Sequence, residues 1–302
     1  MFPSPAAWLG RSAWLRKTML GTPLLRDVTG RFVGGNDLDE GLATVHTLGT
    51  RGIHGSLNYY GAHVQSVALA EQAAVQAETA LQAIHDSGLD ADVSIKLTKL
   101  GLDVDPQLCG RLLHRVLDRA KETGGFVWID MEESRYTDET LRLHAQALRR
   151  YGPDHVGLAL QSYQRGREAD LDRVAELGGR VRLVKGGCRE TPSVAWQSKT
   201  DVDAAFHRDI TRLLRRGARP AIATHDTRSI DWTRQNLERL GLPRDAVEFQ
   251  MLQGVKPELQ ASLSAEGFPV RAYVIYGAGW PLHVLSNVRQ LLRPGHGPSG
   301  QE

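Results

Sequence analysis

Eight short apolar segments, each followed by a helical one, run from Gly52 towards the end of this chain. That alternation limits the fold more than any other feature. The strands read as Gly52–Asn58, Ala91–Leu97, Gly125–Met131, His155–Gln161, Arg180–Gly186, Arg219–His225, Val247–Gly254 and Pro269–Tyr276. The helical segments after them read as Val67–Asp86, Pro106–Thr123, Asp138–Tyr151, Ala169–Leu177, Asp201–Arg216, Ile230–Leu240, Pro257–Ala265 and Leu282–Leu292. One earlier helix, Leu38–Leu48, opens on Asn36 or Asp37 as its cap. Strands returned by helices lie parallel, because a crossover needs a dozen or more residues to bring the chain back. Runs such as Gly157–Leu160 and Ala221–Thr224 are nearly all apolar or small, as expected where both sheet faces are covered. Eight such units favour a closed (β/α)8 barrel of the TIM type, class α/β, over an open doubly wound sheet. The expected organisation is an N-terminal arm over residues 1–35, the barrel over 36–293 and a disordered tail over 294–302.

Polar residues gather at the C-terminal ends of the strands: Asn58, Lys96, Asp130 with Glu132 and Glu133, Gln161, Arg182 with Lys185, Thr224 to Asp226, Gln250 with Gln253, and Tyr273 with Tyr276. Barrels of this type carry their active sites at that face, so polar groups on all eight strands point to a lined pocket. The fifth strand is the most unusual. Side chains alternate across a strand, so Arg182 and Val184 share one face and Leu183 and Lys185 the other. A charge on a buried face needs a partner. Two basic residues here suggest an anionic ligand at the strand's end, with an edge strand carrying solvated cations as the competing reading.

Several function classes drop out. Lys plus Arg number 37 against 35 Asp plus Glu, so the net charge of +2 gives no footprint for nucleic acid. No apolar run reaches the ~18 residues that span a bilayer. The segment holding Trp8, Leu9, Trp14, Leu15, Met19 and Leu20 among Arg11, Arg16 and Lys17 reads as a helix docked on the domain. A peripheral membrane-surface helix is its second reading. Cys109 and Cys188 show no redox or metal spacing, which places the chain in a reducing, cytoplasmic compartment. Gly277-Ala278-Gly279 precedes a helix but lacks the third glycine of a dinucleotide fingerprint. The histidines are scattered, and no metal site is expected.

The chain resembles the proline dehydrogenases, flavin-dependent enzymes that oxidise proline to pyrroline-5-carboxylate. The likeness runs from about Phe32 to Gln290 and rests on motifs occurring in order: Ser94-Ile95-Lys96-Leu97-Thr98-Lys99-Leu100-Gly101, Ile129-Asp130-Met131-Glu132, Leu160-Gln161-Ser162-Tyr163, Arg182-Leu183-Val184-Lys185-Gly186, Ala223-Thr224-His225-Asp226, Glu248-Phe249-Gln250-Met251-Leu252 and Val270-Arg271-Ala272-Tyr273. The resemblance implies a distorted barrel whose last helix covers a dissociable FAD. It also implies that Arg182 lies beside the reactive edge of the flavin ring, where a fixed positive charge favours the reduced form. Gln161, Val184, Lys185, Gly186, Thr224 and His225 would hold the cofactor. Lys96, with Asp130 beside it, would face the substrate together with Leu252 and Tyr273. A plain ion pair is the alternative for Lys96 and Asp130. A quinone or oxygen would take up the electrons.

One part of that pattern is rebuilt. The family carries two adjacent arginines in its final helix that grip the substrate carboxylate; counted from Tyr276-Gly277, those positions hold Ser286 and Asn287. The family's nearby tyrosine becomes His283, and a Gly-Glu pair after the first strand becomes Gly61-Ala62. Two lost charge-assisted bonds are worth about 3–6 kcal/mol. Arg289 and Arg293 offer partial compensation, Arg289 standing about one helical turn, roughly 4.5 Å, beyond Ser286. The expected activity is therefore oxidation of a C–N bond in proline or a proline-like amine, with an amine lacking a free carboxylate as the alternative substrate. A Schiff-base lyase using Lys185 or Lys96, and a non-catalytic flavin-binding barrel, are the competing classes.

Overall fold

A computed structural model of the chain describes residues 34–61 and 64–277. Helix α1 (Leu38–Gly49) leads into β1 (His54–Tyr59), α2 (Val67–Ser87), β2 (Ala91–Lys96), α3 (Pro106–Thr123), β3 (Val127–Asp130), α4 (Thr137–Tyr151) and β4 (Val156–Gln161). Then follow α5 (Glu168–Glu176), β5 (Arg180–Val184), α6 (Lys199–Arg215), β6 (Ala221–Ala223), α7 (Thr227–Leu240), β7 (Glu248–Leu252), α8 (Pro257–Ala265) and β8 (Val270–Tyr276). All eight strands pair in parallel, in sequence order, and β8 closes on β1 through a six-residue register. The expected closed barrel is what forms, and the open sheet is excluded. The N-terminal segment, the tail, the Leu282–Leu292 helix and the positions Ala62, His283, Ser286, Asn287, Arg289 and Arg293 lie outside the described residues.

Local chemistry sets the element ends. Asp37, not Asn36, caps α1, its carboxylate accepting from Glu40 N at 3.0 Å. Asp105 caps α3 ahead of Pro106, and Asp226 caps α7. β4 and β8 end at their expected limits and β1 one residue beyond, whereas the other strands end one or two residues short, β6 because Thr224 to Asp226 turn away to start α7. Before β1, Gly34 N donates to Ile275 O at 2.8 Å and Gly35 bridges Tyr276, tying the start of the described chain to β8.

Strand parity then divides the molecule. Leu57, Val93, Ile95, Val127, Ile129, Leu158, Leu183, Ile222, Phe249 and Val274 point outward and pack under the helices in one continuous buried cluster. The inward positions are different: Ser56 on β1, Asp92, Ser94 and Lys96 on β2, Trp128 and Asp130 on β3, Arg182 on β5, Glu248 and Gln250 on β7, and Arg271 and Tyr273 on β8. Their side chains hydrogen-bond across the bore, Arg182 of β5 reaching Ser94 of β2 and Ser56 of β1. Barrels of this kind usually fill the bore with branched aliphatics. Here the apolar core is the ring between strands and helices, and the bore is ionic.

Candidate active site

Arg182 is 3% exposed and anchored by four neighbours. Its Nε donates to Gln250 Oε1 at 2.5 Å, Nη1 to Ser94 Oγ and Asp130 Oδ1, both at 2.8 Å, and Nη2 to Ser56 Oγ at 3.1 Å. The guanidinium also lies over the rings of Trp128, at 4.5 Å, and Tyr273, at 5.5 Å. The edge-strand reading of this segment therefore fails. β5 sits between β4 and β6, and its cation meets partners inside the barrel.

Asp130, at the end of β3, joins the site together. Beside its bond from Arg182, its Oδ2 accepts from Tyr273 Oη at 2.7 Å and lies 3.5 Å from Lys96 Nζ. Burial, then the neighbouring Asp130, raises the Tyr273 pKa, so the phenol stays protonated and donates. For Lys96 burial opposes the charge, but the Asp130 and Glu132 carboxylates favour it, and the pKa lies above that of ordinary lysine. Lys96 is thus a lasting ammonium with about a third of its side chain exposed at the barrel mouth. A lysine held protonated is a poor Schiff-base nucleophile. Lys185, the other lysine of that reading, donates to Asp203 at 2.5 Å and Asp226 at 2.8 Å, with Lys199 closing the same cluster. The lyase reading loses both of its lysines.

A cavity of about 270 Å³ opens above these groups. The connected set Lys96, Asp130, Arg182 and Tyr273 lines it, together with the apolar Ala159, Val184, Ala223 and Leu252 and with Met131, His225, Gln250 and Met251. Seven of the residues singled out from the sequence thus share one wall set: Lys96, Asp130, Arg182, Val184, His225, Leu252 and Tyr273. His225 Nε2 accepts from Leu252 N at 2.8 Å, and burial, with Lys256 nearby, lowers its pKa to about 4, so the ring is neutral.

The other four do not line the cavity. Gln161 is buried and donates to Met131 O at 3.1 Å and Glu132 O at 3.3 Å, bracing the β3 loop. Thr224 accepts from Asp226 N at 3.2 Å, and Lys185 is held by its two carboxylates. Gly186 has φ +120°, and a Cβ there would stand 2.2 Å from the Tyr163 ring, so only glycine fits. Sequence reasoning missed Ser56, Asp92, Ser94 and Trp128, and gave no role to Arg271. The signal was strand parity: Asp92 and Ser94 share the face of Lys96, and Arg271 that of Tyr273. Among the described residues no group of acidic, His and Cys side chains is placed to hold a metal ion.

Comparison with known proteins agrees with this geometry. The proline dehydrogenase family model matches residues 41–284. Proline dehydrogenase 2 of Bacillus subtilis (strain 168) is 34% identical over 273 residues, 90% of this chain and 89% of that protein. The proline dehydrogenase of Deinococcus radiodurans is 36% identical over 253 residues, 83% of this chain and 82% of that one. Among solved structures, proline utilization A from Bdellovibrio bacteriovorus superposes with a TM-score of 0.82 at 19% identity, over 96% of this chain. The Bradyrhizobium japonicum protein of that name superposes with a TM-score of 0.75 at 22% identity, over 94%. This chain spans only 38% and 33% of those two longer chains, and at such identities they speak for the barrel alone. A family match across most of the barrel, with relatives above 30% identity along nearly their whole length, carries the conclusion that this chain belongs to the proline dehydrogenase family.

Proposed function

We propose that this chain binds FAD over the Arg182 side of the cavity and oxidises the C–N bond of proline or a proline-like amine to an imine. The observation that carries this reading is the single connected set Lys96–Asp130–Tyr273–Arg182 at the cavity wall. The residues present fit a flavin. A fixed guanidinium faces the cavity, and Ala159 and Ala223 leave room for a flat ring. When bound, the flavin supplies the acceptor for a hydride leaving the carbon next to nitrogen. Arg182 stabilises the negative charge that arrives there. Lys96 cannot take the substrate's proton, because it already holds its own. It serves as counter-ion to an anionic or electron-rich substrate group, oriented by Asp130, while Tyr273 and Leu252 bound the substrate's face. His225 and Val184, on the cavity wall, would contact the cofactor, and Gly186, Gln161, Thr224 and Lys185 would fix the loops around it.

A second substrate class follows from the sequence at Ser286, Asn287 and His283, which offers hydroxyl, amide and imidazole groups in place of a guanidinium pair. These three would meet an amidated or neutral group. The test is anaerobic mixing of FAD-loaded protein with proline and, separately, with prolinamide. Bleaching of the flavin by either supports the dehydrogenase. Faster bleaching by prolinamide selects the second class. A protein that takes up no FAD sinks the reading.

A further inference from the structure

A column of alternating charge runs through the bore, and its part below Arg182 takes no part in the proposed reaction. From the N-terminal ends of the strands it runs from the solvent-exposed Asp90 to Arg271 inside the bore, then Asp92 beside Glu248, then Arg182, Asp130 and Lys96. Arg271 Nε lies 3.2 Å from Asp92 Oδ2 and 3.1 Å from Glu248 Oε1, and its Nη1 donates to Gly55 O at 2.7 Å. Asp92 Oδ2 also accepts from Trp128 Nε1 at 2.9 Å. The other oxygen, Oδ1, is buried with no hydrogen-bond partner and stands 4.0 Å from Arg182 Nη2. Asp92 itself is 3% exposed. A buried carboxylate oxygen without a hydrogen bond is a cost to the fold. Among the described residues, Arg182 is the one guanidinium that lines the cavity, and this oxygen faces it. Inside the bore, Lys96, Arg182 and Arg271 balance Asp92, Asp130 and Glu248, so removing one charge leaves a net charge in a space that screens poorly.

We propose that Asp92 is a positioning residue: its carboxylate, 4.0 Å away, balances the charge of the Arg182 guanidinium and, through it, sets the reduction potential of a flavin seated above. This rests on the FAD reading given above. The mechanism is electrostatic. With Asp92 neutralised, Arg182 and Arg271 act on the cavity with an uncompensated positive charge, and the electron-rich reduced ring is favoured. Neutralising Arg271 instead creates the opposite imbalance. Removing both restores the balance, although two buried contacts are gone.

The experiment compares Asp92→Asn, Arg271→Gln and the double variant, each loaded with FAD. The flavin midpoint potential is read against reference dyes, and the melting temperature beside it. Asn keeps the shape and an acceptor for Trp128 Nε1. The reduction equilibrium should rise about tenfold in Asp92→Asn, about 30 mV for a two-electron couple, fall in Arg271→Gln, and return to within about threefold of the parent in the double variant. Melting should fall in all three. If potentials stay put while melting falls, or both single variants shift the same way, Asp92 is a structural residue only. Should Asp92→Asn fail to fold, Arg271→Gln decides alone, and a potential at or above the parent's overturns the proposal. Absence of FAD uptake by the parent chain is a different result, and defeats the flavin reading itself.

Discussion

Asp130 carries more of the site than any other side chain, since its two oxygens meet an arginine, a phenol and a lysine. Tyr273→Phe deletes one of those donors and leaves the ring. A hydrogen bond to a charged group is worth about 1.5–3 kcal/mol, so kcat/KM should fall roughly 10- to 150-fold. Flavin absorbance should be unchanged, because the phenol's partner is Asp130. Lys96→Ala should abolish turnover while leaving FAD bound, read by anaerobic bleaching and by absorbance; a variant that sheds its flavin would place Lys96 at the cofactor instead. Gly186→Ala should cost both cofactor and stability, because the added methyl meets the Tyr163 ring at a φ that alanine resists. Lys96, Asp130, Arg182 and Tyr273 were legible in the sequence as polar residues near strand ends. Their supports were not. Arg182 and Ser56 are 126 positions apart and Arg271 and Gly55 are 216 apart, and only barrel closure brings them together.

At the scale of elements, the strand and helix order could be read directly, because apolar segments ended at Gly, Pro and Asp signals that the backbone obeys. The strand ends were less legible, since a cap such as Asp226 draws residues from a strand into the next helix. Helix α4 holds a feature invisible to periodicity. His144 is 1% exposed, neither ring nitrogen has a hydrogen-bond partner, and burial lowers its pKa to about 4. Its folded pKa lies below the unfolded value of about 6.5. The unfolded chain therefore binds the extra proton first as the pH falls. The stability is fully present above about pH 6.5 and is lost towards pH 4, at up to about 1.4 kcal/mol per pH unit. His144→Leu should remove that slope and, by deleting two unsatisfied nitrogens, stabilise the protein at pH 7 by about 1–2 kcal/mol. Urea unfolding of both proteins at pH 7 and pH 5 checks it: the gap should widen at the lower pH.

For the whole molecule, stability resides in the apolar ring outside the strands, whereas the bore is kept for charge. A ligand that binds only the folded state adds to that. FAD at a hundred times its dissociation constant should contribute about 2.7 kcal/mol. For a chain of this size that raises the melting temperature by roughly 4 °C, measurable as a difference between loaded and stripped protein. No described helix is long and apolar enough to cross a membrane. The cavity itself is lopsided in chemistry: Lys96, Asp130, Arg182 and Tyr273 form one hydrogen-bonded ionic cluster, while Ala159, Val184, Ala223 and Leu252 are apolar parts of its lining. A small cyclic amine anchored by its polar group on that ionic cluster would be held in one orientation relative to the flavin. Only one of its two faces is then turned towards the acceptor. Chirality follows from that asymmetry, and the mirror-image amine, forced either to point its reactive hydrogen away or to abandon the ionic cluster, should react far more slowly.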